Sequence, residues 1–167
     1  MIRALALADP AATEALGRAL AATAPASAVV YLQGDLGAGK SFLARAMLRA
    51  LGVSGAVKSP TYTLVEHYAM EPGEAAHLDL YRIADGAELE FLGLDALAGI
   101  RLCLVEWPER GGSALPPPDI RIVLAIQGSG RLARLEATSP AGEDWLAAMI
   151  GDPHLQAISD EVPRKTS

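Results

Sequence analysis

The stretch Ala28-Val29-Val30-Tyr31-Leu32-Gln33, followed by Gly34-Asp35-Leu36-Gly37-Ala38-Gly39-Lys40-Ser41, decides the fold. Residues 28–33 form a short apolar run rich in β-formers, suited to a buried central strand. Residues 34–41 match G-x-x-x-x-G-K-[ST] without a mismatch. A helical pattern then runs to about Leu51, with Phe42, Leu43, Ala46, Met47, Ala50 and Leu51 on its apolar face and Arg45 and Arg49 opposite. Gly52 is placed to stop it. Strand, glycine loop and helix in that order are what a phosphate-binding loop needs. Glycines let consecutive N–H groups wrap an anion. Lys40 reaches the β- and γ-phosphates, and the Ser41 hydroxyl serves Mg²⁺. The candidate nucleotide-binding set is therefore Gly34, Asp35, Leu36, Gly37, Ala38, Gly39, Lys40 and Ser41.

Such a site also needs a carboxylate on a neighbouring strand, to hold the metal or orient water. Two candidates stand in the sequence. Glu106 ends the apolar strand pattern 101–107 (RLCLVEW), as in a Walker B element with Glu in place of Asp. Asp79 follows His77-Leu78 near the returning end of a second β pattern; a strand-end carboxylate paired with Arg82 is its alternative. Thr61 and Ser59, in the loop Lys58-Ser59-Pro60-Thr61, are candidate sensors of the γ-phosphate or its metal. Ordinary turn chemistry is the alternative for both. Trp107 packs near the nucleotide, at a partner surface, or in the core or at its edge. Arg82 and Lys58 are basic residues near the phosphate site. His67 and His77 belong to the hairpin surface, and no histidine shows metal-ligand spacing. Cys103 is inert core.

Working outward, residues 2–7 form a short edge strand. Asp9-Pro10 reads as an N-cap and first helical residue, ahead of a stripe Ala12, Leu16, Ala19 and Leu20. Thr61 to Ala69 and Ala75 to Tyr81 form an antiparallel hairpin about Pro72-Gly73, centred as a type II turn. Pairing Met70 with Ala75 sets Asp79 opposite Glu66 and Arg82 opposite Thr63. Asp85 caps a helix to Gly93. Residues 120–127 and 131–137 form a second hairpin, and Ser139-Pro140 opens a last helix to about Ile150. The fold class is α/β: a P-loop NTPase-like mixed sheet with central parallel strands, antiparallel hairpin additions and flanking helices. Residues 1–150 read as one P-loop ATPase domain, and residues 151–167 as a flexible tail.

The bulk numbers narrow the function classes. The chain has 167 residues and a formal net charge of −6, which argues against a large nucleic-acid footprint. A local basic patch remains open, since 11 of the 14 basic residues are arginines. No apolar run is long enough to cross a bilayer, and the N-terminus lacks signal-peptide features. One cysteine, Cys103, excludes an internal disulfide. These features fit a soluble cytoplasmic protein. The guanine-reading N/T-K-x-D element is absent, which weakens a GTPase reading without identifying the base.

Four blocks, in order, resemble the TsaE (YjeE) family over roughly residues 1–150. They are Gly34 to Ser41, Lys58-Ser59-Pro60-Thr61-Tyr62-Thr63-Leu64-Val65, Asp79-Leu80-Tyr81-Arg82 with Glu88-Leu89-Glu90, and Leu104-Val105-Glu106-Trp107-Pro108-Glu109. Threonine is commoner than Ser41 at the end of that family's P-loop, and either hydroxyl can serve Mg²⁺. The resemblance implies an ATPase that works with TsaD and TsaB proteins, which attach a threonylcarbamoyl group to adenosine 37 of tRNA. It implies that Lys40 contacts phosphate, that Ser41 and Glu106 serve Mg²⁺, and that Asp79 orients water or metal. It places the start of the first helix, near Asp9 and Pro10, over the base. ATP and Mg²⁺ are the implied cofactors, and tRNA is met through the partners. Two rivals remain from the residues alone: a small-molecule P-loop kinase, and a non-catalytic ATP-dependent interaction module.

Overall fold

Apolar strands of two kinds build the sheet. A computed structural model describes residues 1–58, 60, 64–91 and 97–160. Its strands are β1 (Ile2–Leu7), β2 (Ala28–Gln33), β3 (Val65–Ala69), β4 (Glu74–Asp79), β5 (Leu102–Glu106), β6 (Ile120–Gln127), β7 (Gly130–Ala137) and β8 (Ser159–Asp160). They form one sheet in the order β3-β4-β5-β2-β6-β7-β1-β8. The neighbours β4, β5, β2 and β6 pair in parallel, and all other pairs are antiparallel. β5 is buried along its whole length, because the sheet is covered on both faces there. β6 alternates instead: Ile120, Ile122 and Leu124 are buried while Arg121, Val123 and Ala125 are exposed, so that part of the sheet is covered on one face only.

The helices are α1 (Pro10–Ala22), α2 (Lys40–Ala50), α3 (Ala87–Phe91) and α4 (Pro140–Ile150). Leu16 and Leu20 of α1, Leu43 and Met47 of α2, and Trp145 and Leu146 of α4 share one core with Val30, Leu32, Leu102 and Leu104. Truncating any of these leucines to alanine costs about 2–5 kcal/mol. On the other face Ala76, Leu78, Cys103 and Val105 pack with Ile83, Leu89 and Leu115. The α1 and α2 backbones approach closely: a Cβ on Gly17 would lie 2.7 Å from the Cβ of Ala46. The Trp145 indole N–H donates to Leu20 O at 3.1 Å, which ties α4 to α1 without stranding a buried donor. Asp9 caps α1 as its sequence predicts, accepting from Ala12 N–H at 2.9 Å, with Pro10 as the first helical residue.

The sheet corrects several expectations. The Met70/Ala75 pairing is off by two residues. Ala69 pairs with Glu74 and Glu66 with His77, while Asp79 N–H donates to Leu64 O. The turn is tighter than Pro72-Gly73 at its centre implied. Its central pair is Glu71-Pro72, joined by a cis peptide bond, and Met70 N–H donates to Gly73 O. A slip of two keeps every side chain on its own face. The expected partner of Arg82, Thr63, lies outside the described residues. β1 is not the outermost strand, because β8 pairs with it. Of the expected flexible tail, residues 151–167, Pro153–Ala157 form a 3-10 turn after α4 and Ile158 is buried in the core, while residues 161–167 lie outside the described residues. Phe42, assigned to the apolar face of α2, is 38% exposed, because it sits in the first turn beside the glycine loop.

Candidate functional site

The loop between β2 and α2 has the backbone its glycines predict. Gly34, Gly37 and Gly39 take φ of +138°, +80° and +103°. Gly34 is also fixed by space, since a Cβ there would stand 2.2 Å from Leu124 O. Gly39 precedes α2 with no side-chain cap, so the first N–H groups of that helix remain for an anion.

Lys40 is 5% exposed. Its ammonium donates to Gly34 O at 2.6 Å and Asp35 O at 2.9 Å, and lies 4.5 Å from the Trp107 ring centroid. Burial lowers its pKa, opposed by the charges of Glu106, Asp79, Glu109 and Asp35. Trp107 takes a left-handed conformation with φ +56°, a costly one for a bulky side chain. The kink turns the chain at the end of β5 and sets the indole over the lysine. Tyr81 packs against that indole at 5.0 Å between centroids.

Glu106 is 2% exposed, although it ends its strand. The Ser41 hydroxyl donates to it, 2.8 Å from Oε1 and 3.1 Å from Oε2. On the far side His77 Nε2 lies 2.7 Å from Oε2. Asp79 pairs in register with Glu106 across β4 and β5, and its Oδ1 accepts from Tyr81 N–H at 3.1 Å. Burial raises the Asp79 pKa; the Tyr81 N–H opposes this, the Glu106 charge adds to it, and His77 and Lys40 oppose it.

These residues line one cavity of about 410 Å³, formed by Leu36, Lys40, Ser41, Asp79, Glu106 and Trp107, with Tyr81, Arg82 and Arg45 at its edges. Arg82 is exposed there. A second hollow, of about 210 Å³, opens beside the same loop between Pro10, Thr13, Ala38, Gly39, Phe42 and Arg131. Pro10, the first residue of α1, thus stands beside the loop. A larger hollow of about 770 Å³ lies at the opposite ends of β2 and β5, around Val29, Arg101, Cys103 and Pro116, away from every group just described. Ser59 and Thr61 lie outside the described residues.

The donor set fits Mg²⁺. Ser41 and Glu106 offer hard oxygen ligands at hydrogen-bond distance from each other, and Asp79 adds a third nearby oxygen source. Among the described residues no group of three His, Cys, Asp or Glu side chains could cage a metal ion.

Two contributors escaped the sequence reading. His77 is fully buried against Glu106, not on the hairpin surface. Arg131 donates from Nε to Ala38 O and from Nη2 to Gly37 O, both at 3.0 Å. It clamps the loop from the start of β7, 94 positions away from Gly37. The sequence carries no local signal for either contact. Cys103 is buried as expected, which pushes its thiol pKa up to about 12.

Among the described residues no helix is long and apolar enough to cross a membrane. The family model for "Threonylcarbamoyl adenosine biosynthesis protein TsaE" matches residues 7–134. The tRNA threonylcarbamoyladenosine biosynthesis protein TsaE of Haemophilus influenzae is 46% identical over 121 residues, 72% of this chain and 77% of that protein. Its Bacillus subtilis counterpart is 37% identical over 121 residues, 72% of this chain and 75% of that protein. The crystal structure of Bacillus subtilis YdiB superposes with a TM-score of 0.75 at 28% identity, covering 90% of this chain and 96% of that one.

Proposed function

The chain belongs to the TsaE family, and from that premise we propose that it is the Mg²⁺-dependent ATP-binding and ATP-hydrolysing subunit that supports turnover of a TsaD–TsaB transferase. A TsaE role in tRNA threonylcarbamoyladenosine biosynthesis comes with the family. The hydrolysis, the metal and the partners are the proposal. The observation that carries it is the meeting of Lys40, Ser41 and Glu106 at the mouth of one glycine loop.

Each residue then has a physical task. The N–H groups of residues 34–41 surround the phosphates. Lys40 exchanges its two carbonyl partners for β- and γ-phosphate oxygens, which carry full charge and bind an ammonium more strongly. Ser41 and Glu106 hold Mg²⁺. Mg²⁺ held there would supply positive charge to the phosphate oxygens. Asp79 orients the attacking water. Trp107 covers the lysine and excludes solvent, which strengthens each electrostatic contact. Pro10 lies over the base. Ser59 and Thr61 sense the γ-phosphate, and Arg82 is the nearest candidate for a charge-stabilising arginine.

An absent arginine finger can cost about 10³–10⁵ in rate. The isolated subunit is therefore expected to hydrolyse ATP slowly and to speed up with its partners. The test is ATP hydrolysis by the purified protein with and without TsaB and TsaD, beside Lys40→Ala and Glu106→Ala. Activity that rises with the partners and collapses in both variants supports the proposal. Wild-type activity that ignores the partners overturns it in favour of an independent kinase or NTPase, to be resolved by a screen of small-molecule acceptors.

A further inference from the structure

His77 is an unusual histidine for a strand interior. Its side chain is fully buried. Its Nε2 lies 2.7 Å from Glu106 Oε2, and its Nδ1 is buried with no hydrogen-bond partner among the described residues. A carboxylate oxygen can only accept, so Nε2 carries the hydrogen. The ring thus aims its Nε2–H at Glu106. The strand pairing explains the aim. His77 precedes Asp79 by two residues on β4, so both share the face that Glu106 occupies on β5.

From this geometry we infer that His77 is a positioning residue for the metal ligand: it anchors Oε2 of Glu106 and so turns Oε1 toward Ser41 and the cation. The inference rests on the reading of Glu106 as the Mg²⁺ ligand. Among the described residues, Ser41 and His77 grip the carboxylate. The Ser41 oxygen can serve a cation through a lone pair while its O–H stays on Glu106, so Ser41 and His77 hold the carboxylate from two sides. Groups that orient a metal ligand from behind are worth about 10–100-fold in metal affinity. The rival explanation is a polar staple between β4 and β5 with no bearing on the metal.

The two explanations separate in a binding experiment that needs no turnover. ATP affinity is titrated first without Mg²⁺ and then against rising Mg²⁺, for wild type, His77→Gln, His77→Asn, His77→Leu and Glu106→Gln. The glutamine amide nitrogen overlays Nε2 and can still reach Glu106. The asparagine nitrogen overlays Nδ1 and falls short. The Mg²⁺ concentration for half-maximal tightening is expected to rise about 10–100-fold in His77→Asn and His77→Leu, with Mg²⁺-free affinity unchanged and with most of the loss restored in His77→Gln. Should the leucine variant fail to fold, the asparagine and glutamine pair still decides. Equal losses with and without Mg²⁺, or no difference between Asn and Gln, overturn the positioning role. Mg²⁺ dependence lost in Glu106→Gln but intact in His77→Asn and His77→Leu overturns that role and leaves the ligand assignment standing. Mg²⁺ dependence that survives Glu106→Gln overturns the ligand assignment and the positioning role with it.

Discussion

Asp79 stands opposite Glu106 across the parallel pair β4–β5, with β5 lying between β4 and the strand that feeds the glycine loop. Adjacent strands are about 4.8 Å apart, so the two carboxylates sit at different distances from Ser41. Glu106 bonds the Ser41 hydroxyl, whereas Asp79 lines the cavity one strand further out. Under the proposed function, this arrangement gives Glu106 to the metal and Asp79 to the attacking water.

Asp79→Asn is expected to lower ATP hydrolysis by about 10²–10⁴ while leaving ATP affinity nearly unchanged. Affinity and rate measured on the same preparation check this; an affinity loss as large as the rate loss would make Asp79 a binding residue. Burial, reinforced by Glu106, raises its pKa, so the fall of rate with acid should come at a higher pH than the ordinary aspartate value would give. The stability sign is the reverse. Because the folded-state pKa is raised, this group favours folding below its unfolded pKa, and that contribution is lost as pH rises through the folded pKa. Asp79→Asn should flatten that part of the stability profile.

Cys103 gives a cleaner alkaline test, because its thiol pKa is pushed up to about 12 by burial. The native thiol stays protonated while the unfolded one ionises from its ordinary value upward. Stability should therefore fall by roughly 1.4 kcal/mol per pH unit between the two pKa values, and Cys103→Ala should remove that slope. The same burial predicts that native Cys103 resists alkylation at mildly alkaline pH and reacts once the chain is denatured.

Two glycines of the loop should respond differently to alanine. At Gly34 the new Cβ meets Leu124 O at 2.2 Å, and φ is +138°. Backbone has to move, at a cost of about 1–3 kcal/mol or more, and the phosphate cradle moves with it. At Gly37 nothing lies within 4 Å and only the positive φ is penalised. That penalty is about 1–2 kcal/mol. Thermal melting and ATP titration of both variants should rank Gly34→Ala as the more damaging on each scale.

Arg131→Ala should weaken ATP binding about tenfold, equivalent to about 1.4 kcal/mol, although the proposed mechanism gives Arg131 no contact with phosphate. Its guanidinium bonds the Gly37 and Ala38 carbonyls together, which keeps the loop N–H groups pointing into the site. Arg131→Lys should recover only part of the loss, since an ammonium lacks the planar fork that spans two acceptors. Full recovery by lysine in a calorimetric titration would reduce the role to charge alone.

The sequence by itself determined the local chemistry. The strand, the glycine loop and Lys40-Ser41 are contiguous, and the backbone freedom of Gly34, Gly37 and Gly39 is a property of those residues wherever the chain goes. The caps at Asp9 and Ser139, the apolar β5 ending in a carboxylate and the hairpin around Pro72 were legible for the same reason, since each depends on neighbours within a few residues. What the tertiary structure alone decided is which distant groups meet. The hairpin register differs from expectation by two residues, because a tight Glu71-Pro72 turn was not distinguishable from a wider one by composition. His77 alternates with apolar neighbours as a surface strand residue would, yet a parallel β5 beside it buries it against Glu106, 29 positions later in the chain. Arg131 reaches the loop across the β6–β7 turn in the same way. Local propensity acts through a residue's own backbone, whereas burial and long-range hydrogen bonds depend on strand order and register, which arise when the whole sheet packs.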